Sequence, residues 1–221
     1  MVILLIVVIF IVLPALILFS ASLNMGWGFY MPAITKLNAG EKKIMLTFDD
    51  GPHPLYTPAV LDILKERRVK AVFFCIGEKA FENPELIKRM VNEGHKIGIH
   101  SMNHSAGFSF ASKSMVERDI ENCRKILSDI SGTSIELFRP PFGVTNPNIA
   151  RAVKKLNLKN IGWSIRSFDT VSDSNKVVIK IDKELHNGAI VLLHDRLPSA
   201  SVTLTSILDV LEKRSYKTTV L

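Results

Sequence analysis

Leu46-Thr47-Phe48-Asp49-Asp50-Gly51-Pro52-His53 decides how this chain is read: a short apolar run stops abruptly at two carboxylates and a Gly-Pro breaker. Lys43 to Phe48 reads as a strand and Gly51-Pro52 must turn the chain, which places both aspartates at the strand's C-terminal lip. In β/α barrels that lip carries the chemistry. Consecutive strand residues face opposite ways, so Asp49 and Asp50 are expected to divide the work, one binding a metal and the other free to take a proton.

Outward from this stretch, short apolar runs alternate with longer amphipathic ones. Strands are expected at Ile44–Phe48, Ala71–Ile76, Lys96–His100, Glu136–Arg139, Asn160–Trp163, Ala189–His194 and Tyr216–Leu221. Helices are expected near Thr57–Arg68, Glu78–Glu93, Ser112–Ser131, Asn146–Leu156, Asn175–His186 and Thr203–Lys213, with Asn83-Pro84 opening a new turn and Gly94, Gly132 and Asn187-Gly188 marking stops. Strict strand–helix alternation implies an α/β fold with a parallel sheet, and about seven such units suit an irregular, distorted β/α barrel.

Upstream, no charged residue occurs from Met1 to Thr35, and Val2 to Leu18 is almost wholly aliphatic. Its length suits a transmembrane helix, with Trp27 and Tyr30 as an interfacial aromatic pair. Residues 1–35 are therefore expected to form a membrane anchor with a short linker, and 41–221 the catalytic domain. A cleaved signal peptide is the alternative, since Ser20-Ala21-Ser22 is small enough for a cleavage site, but a basic n-region is missing. Lys36, Lys42 and Lys43 would by charge alone keep the domain cytoplasmic.

The chain has 221 residues, 47% hydrophobic and 22% charged, enough for one well-buried domain and too apolar for disorder. A formal charge of +7 admits anionic partners such as phospholipid or a carboxylated glycan. No Lys/Arg run is interleaved with aromatics, which argues against nucleic acid. Cys75 in a buried-strand pattern and Cys123 in a helical one read as free structural thiols. His95 and His186 read as structural, and Met25, Met31 and Met102 as packing residues.

Polar groups mark five separate strand ends: Asp49 and Asp50, His100 with His104, Arg139, Asp169, and His194 with Asp195. Any one alone would be a cap, a turn or a core histidine; five at one lip of a barrel imply a site. His100 and His104 stand at i, i+4, on one face if the segment turns helically, and a carboxylate from Asp49 or Asp50 completes a facial triad. Such a triad leaves coordination positions open and suits a divalent metal, Zn²⁺ first, with Co²⁺ as another option.

On these residues the sequence resembles the NodB-type polysaccharide deacetylases, carbohydrate esterase family 4, from about Lys43 to Leu221. The resemblance rests on Thr47-Phe48-Asp49-Asp50-Gly51-Pro52, His100-Ser101-x-x-His104, Phe138-Arg139-Pro140-Pro141-Phe142-Gly143, Trp163-Ser164 followed by Asp169, and Val191-Leu192-Leu193-His194-Asp195. It implies Asp49 as catalytic base and Asp50, His100 and His104 as metal ligands. Arg139 would orient the base, the Phe142 N–H would help hold the oxyanion, Asp169 would tune His194 as general acid, and Leu192 and Trp163 would line the acetyl pocket. The implied reaction removes N-acetyl groups from a glycan outside the cytoplasm. Two rivals stand beside it: an amidase on a small cyclic amide or imide, and a glycan-binding pseudoenzyme.

One stretch departs from the family. Where many members read Asp-x-x-Asp-Trp, this chain has Arg166-Ser167-Phe168-Asp169-Thr170. Arg166 is expected either in a structural ion pair with Asp169 or Asp195, or in the groove, where it would favour anionic glycans.

Overall fold

The computed structural model describes residues 8–38 and 42–221. Strand β1, Lys43–Gly51, is the centre of a curled parallel sheet. Around it lie β2 (Val72–Cys75), β3 (Lys96–Ile99), β4 (Leu137–Phe138), β5 (Lys159–Asn160), β6 (Ile165–Arg166) and β7 (Ile190–His194), in the order β5-β4-β3-β2-β1-β7-β6. β8, Lys217–Thr218, pairs with the start of β1. The result is a curled half-barrel, consistent with the distorted β/α barrel expected from the alternation of elements.

Alternation along β1 sorts its side chains between two cores. Ile44, Leu46 and Phe48 join the large outer core beneath the helices, whereas Met45 joins a small inner cluster with Val72, Phe74, Leu137, Ile161 and Ile190. Thr47 and Asp49 continue the inward column, and the barrel interior therefore becomes polar towards its C-terminal end. Burial of both faces explains why the strands read as continuous apolar runs.

The helices follow their sequence signals closely. Ser112 caps Lys113–Ser131, with Gly132 in the left-handed conformation at its end, and the Asn146 side chain accepts the Asn148 and Ile149 N–H groups at the head of Pro147–Lys155. The helix expected over Glu78–Glu93 is two, Gly77–Glu82 and Pro84–Asn92, because Pro84 cannot continue the first and starts the second. β6 lies outside the expected strands, being only two residues long, and the strand expected over Tyr216–Leu221 shrinks to β8.

Among the described residues, β5 and β6 do not pair with each other. The segment ahead of β1 lies near this seam: Ile34 N–H donates to Asn160 O (2.9 Å), Gly162 N–H to Ile34 O (2.9 Å), and Leu37 N–H to Gly188 O (2.8 Å). The stretch expected to be a linker is thus partly hydrogen-bonded into the barrel.

The expected transmembrane helix is not found among the described residues. A π-helical stretch, Val8–Val12, runs into an α-helix, Leu13–Leu23, together about 24 Å long against a hydrocarbon core of about 30 Å. Residues 1–7 lie outside the described residues, and among the described ones no helix is long and apolar enough to cross a membrane. The helix docks by its end: Ala21 is buried, Thr145 N–H donates to Ser22 O (2.9 Å), and Tyr30 Oη–H donates to Leu18 O (3.1 Å). Cys75 and Cys123 are free and buried, Met25 and Met31 are buried, and His95 accepts the Ala71 N–H through Nδ1.

Candidate active site

At the C-terminal end of the sheet lies a pocket of about 190 Å³, lined by Asp49, Asp50, His100, His104 and His194 and walled by Phe142, Trp163 and Leu192. The residues the sequence singles out from separate strand ends therefore meet. Arg139 lies wholly buried behind them, in contact with the Asp49 carboxylate.

Asp49 and Asp50 share this pocket because β1 bulges. Its pairing with β2 slips between Asp49 and Gly51, and Asp50 takes φ 70°. The expected opposite facing of consecutive residues thus fails where the strand ends. Gly51 is required here, since a Cβ would lie 2.3 Å from Asp195 Oδ2. Ser101, His104, Phe142 and Phe168 also have positive φ at the site, the kind of local strain that surrounding structure must enforce.

His100 and His104 converge, but not on a helix. Positive φ at Ser101 and His104 curls the loop instead, pinned by Asp119 accepting the Met102 N–H (2.9 Å) and Ser101 Oγ accepting the His104 N–H (3.0 Å). Burial pushes the Asp119 carboxyl up to about 6. The His100 and His104 rings end 4.9 Å apart.

Asp50, His100 and His104 each offer a ligand atom, all within 4.8 Å of one another. Asp50 Oδ1 is buried without a hydrogen-bond partner and lies 3.4 Å from His100 Nε2 and 3.3 Å from His104 Nε2. His100 Nδ1 lies 2.8 Å from Arg139 O, and since a carbonyl can only accept, that nitrogen carries the proton and leaves Nε2 free to ligate. An orphaned carboxylate oxygen facing two imidazoles fits a divalent cation in chemistry and arrangement. Burial opposes charge on Asp50, but the hydrogen bonding and field of His100, the Arg196 hydrogen bond and the field of His104 outweigh it and hold Asp50 well below the usual carboxylate range.

Arg139 uses both faces of its fork. Nη1 donates to Asp49 Oδ1 (2.7 Å) and Thr47 Oγ1 (2.8 Å), Nη2 to Gly162 O (2.8 Å), and Nε to Ile161 O (2.9 Å), with Cζ 4.2 Å from the Phe74 ring centroid. Asp49 Oδ1 is thereby occupied, and Oδ2, 3.8 Å from His100 Nε2, is the oxygen turned towards the ligand set.

Across the pocket, Asp169 holds His194 twice, through the backbone N–H to Oδ2 (2.8 Å) and through Nδ1 to Oδ1 (2.8 Å). Nδ1 is the donor to this carboxylate, and Nε2 turns towards Asp50, 3.9 Å away. Burial works against a charge on His194, but the Asp169 hydrogen bond and field, joined by Asp49 and Asp50, outweigh it and raise its pKa above the ordinary histidine value.

Arg166 makes no ion pair among the described residues. Asp169 is taken by Ser167 and His194, Asp195 accepts from the Thr57 hydroxyl at 2.5 Å, and the Arg166 guanidinium lies over the Phe168 ring at 4.9 Å while lining the pocket. The expected structural ion pair is not formed.

Two neighbours escaped the sequence reading. Arg196 donates from Nε to Asp50 Oδ2 (2.8 Å), and Lys79 Nζ to Asp50 O (2.9 Å). Buried Asp195, its carboxyl pushed up to about 6 by burial, fills the space that Gly51 leaves. Neither Arg196 nor Lys79 follows a periodicity or a spaced motif; only the charge of Arg196 directly after His194-Asp195 was a signal.

Residues 36–161 match the family model described as polysaccharide deacetylase. A peptidoglycan-N-acetylglucosamine deacetylase of Bacillus cereus is 38% identical over 184 residues, covering 80% of this chain and 85% of that protein. A chitooligosaccharide deacetylase of Sinorhizobium fredii is 34% identical, covering 76% and 79%. The crystal structure of a peptidoglycan N-acetylglucosamine deacetylase superposes with a TM-score of 0.79 at 27% identity, over 86% of this chain and 90% of that one. With the sheet, the pocket and these likenesses in agreement, the chain belongs to the polysaccharide deacetylases, the peptidoglycan and chitooligosaccharide N-deacetylases of carbohydrate esterase family 4.

Proposed function

We propose that this protein is a divalent-metal-dependent hydrolase that removes N-acetyl groups from N-acetylhexosamines of a carboxylate-bearing glycan such as peptidoglycan. The observation that carries this reading is the orphaned Asp50 Oδ1 between two imidazoles, set between the Asp49–Arg139 pair and the His194–Asp169 pair. Asp50, His100 and His104 would hold the metal, Zn²⁺ first and Co²⁺ next. When bound, the metal polarises the acetyl carbonyl and lowers the pKa of water.

The chain's own residues supply the rest. Asp49, its Oδ1 held by Arg139, presents Oδ2 to take a proton from the attacking water. His194, kept protonated to higher pH by Asp169, delivers a proton from Nε2 to the departing amine as the C–N bond breaks, leaving acetate and a free amino sugar. The Phe142 N–H supports the oxyanion, and Trp163 and Leu192 shape the acetyl pocket. A Cβ at Gly143 would meet the Trp163 ring at 2.4 Å, so this glycine lets the indole stand against the loop that follows Phe142.

Arg166, stacked on Phe168 and lacking a carboxylate partner among the described residues, is a cation at the pocket wall and supports the preference for an anionic glycan. A polymer of the cell wall or surface requires the domain to act outside the cytoplasm, and the uncharged N-terminal stretch would tether it to the membrane. Acetate release from peptidoglycan and from neutral chitin oligomers, across a salt series and with Arg166→Ala beside the parent, tests the reading. Chelator-sensitive release is expected, faster on peptidoglycan at low salt, with that advantage lost in Arg166→Ala. No release from either substrate would overturn the enzymatic reading in favour of a binding protein. Equal losses on both would leave Arg166 structural.

A further inference from the structure

Beside the catalytic pocket lies a second cleft of about 530 Å³, between the end of the Leu13–Leu23 helix and the barrel mouth. Phe19, Leu23, Phe110, Phe142 and Val144 form its apolar walls. Phe110, on the barrel side, is 90% exposed, a costly display of aromatic surface for a face that meets only water, and Phe19, in the proposed tether, is 63% exposed. Phe142 belongs to both cavities, and its ring lies 4.4 Å from that of His104. A single side chain therefore separates the apolar cleft from the ligand set.

The cleft offers a sugar little to bind. Its largest polar side chain, Asn146, is spent: Oδ1 accepts from Asn148 and Ile149 N–H, and Nδ2 donates to Ser109 O (2.7 Å). The Ser22 carbonyl is taken by Thr145 N–H. The wall opposite the barrel comes from a sequence without a charged residue from Met1 to Thr35. An occupant must therefore be apolar, and the shared Phe142 wall places it beside whatever sugar occupies the catalytic pocket.

We propose that the cleft holds the hydrocarbon chain of a lipid-linked glycan, whose N-acetylated sugar reaches the catalytic pocket past Phe142. The inference rests on the deacetylase reading and narrows its substrate to a membrane-carried form. It is tested with the full chain on an N-acetylglucosamine oligomer with and without a dodecyl aglycone, both in the same nonionic micelles. Acetate release should show kcat/KM at least tenfold higher for the dodecyl substrate. Phe110→Asp, at a position too exposed to support the fold, should remove that advantage while leaving the plain oligomer unchanged, and Leu23→Asp should do the same. Equal kcat/KM for the two substrates, or an equal loss on both in Phe110→Asp, would overturn the lipid inference alone. Acetate from neither substrate would overturn the deacetylase reading, and this inference with it.

Discussion

Replacing Arg139 with Met keeps an aliphatic stem and deletes the guanidinium, whose Cζ lies over the Phe74 ring at 4.2 Å and the Trp163 ring at 5.5 Å. The loss strands three kinds of acceptor at once: the buried Asp49 carboxylate, the Thr47 hydroxyl, and the Ile161 and Gly162 carbonyls. Removing one member of a buried, hydrogen-bonded ion pair costs about 3–5 kcal/mol, because the remaining charge has neither water nor partner. With Arg139 fully buried and Asp49 nearly so, no solvent discount applies, and Arg139→Met is expected to lose about 4 kcal/mol of folding stability. Asp49→Asn should also destabilise, since it leaves the cation buried. The double variant should lose less than the sum of the two, by about 1–3 kcal/mol, because neither charge is then stranded. Urea unfolding of the metal-free proteins at pH 7 measures all four corners of the cycle without linkage to a bound ion. Arg139→Lys should recover only part of the loss, as an ammonium cannot span the fork of acceptors. A loss under about 1 kcal/mol for Arg139→Met, or strict additivity in the double variant, would refute the account of Arg139 as the buried counter-charge that fixes Asp49.

Other consequences can be checked on the same preparations. His104→Ala should purify with little divalent metal while Asp49→Asn retains it and loses activity; equal metal loss in both, measured by elemental analysis, would contradict the division between ligands and base. Because Asp169 raises the His194 pKa, the protonated imidazole persists to higher pH, and in Asp169→Asn the alkaline limb of kcat/KM should move to lower pH; an unmoved limb would remove His194 from the acid role. Burial and the nearby Lys70 lower the His95 pKa to about 4, against Glu93, so the unfolded chain binds the extra proton between pH 6.5 and 4 and stability should fall as pH drops through that window. His95→Asn should lessen the drop by up to about 3 kcal/mol in unfolding measurements at pH 7 and pH 4, and an identical drop in both proteins would show that another group is responsible.

The sequence by itself determined the layered plan: apolar runs bounded by Gly, Pro and Asn cannot be mistaken for the amphipathic helices between them, and caps such as Ser112 and Asn146 act through their own neighbouring backbone. It also placed Asp49, His100, Arg139 and His194 at strand ends, because parallel strands in a β/α fold share one direction and hence one lip. What it could not determine depends on contacts between residues far apart in the chain. Strand alternation puts Asp49 and Asp50 on opposite faces, and only the bulge against β2, which Gly51 permits beside Asp195, turns both carboxylates into one pocket. The His100 and His104 rings meet through a positive-φ loop tied to Asp119 rather than through a helical repeat. Arg166 had two carboxylates within reach of any sequence-based guess, yet Asp169 is taken by Ser167 and His194, Asp195 is wholly buried against Thr57 and Gly51, and the guanidinium rests on Phe168 instead. Local propensity and hydrophobic period act over a few residues and can be read from order alone. Competition for a buried hydrogen-bond partner is settled only when the barrel brings every claimant to the same place.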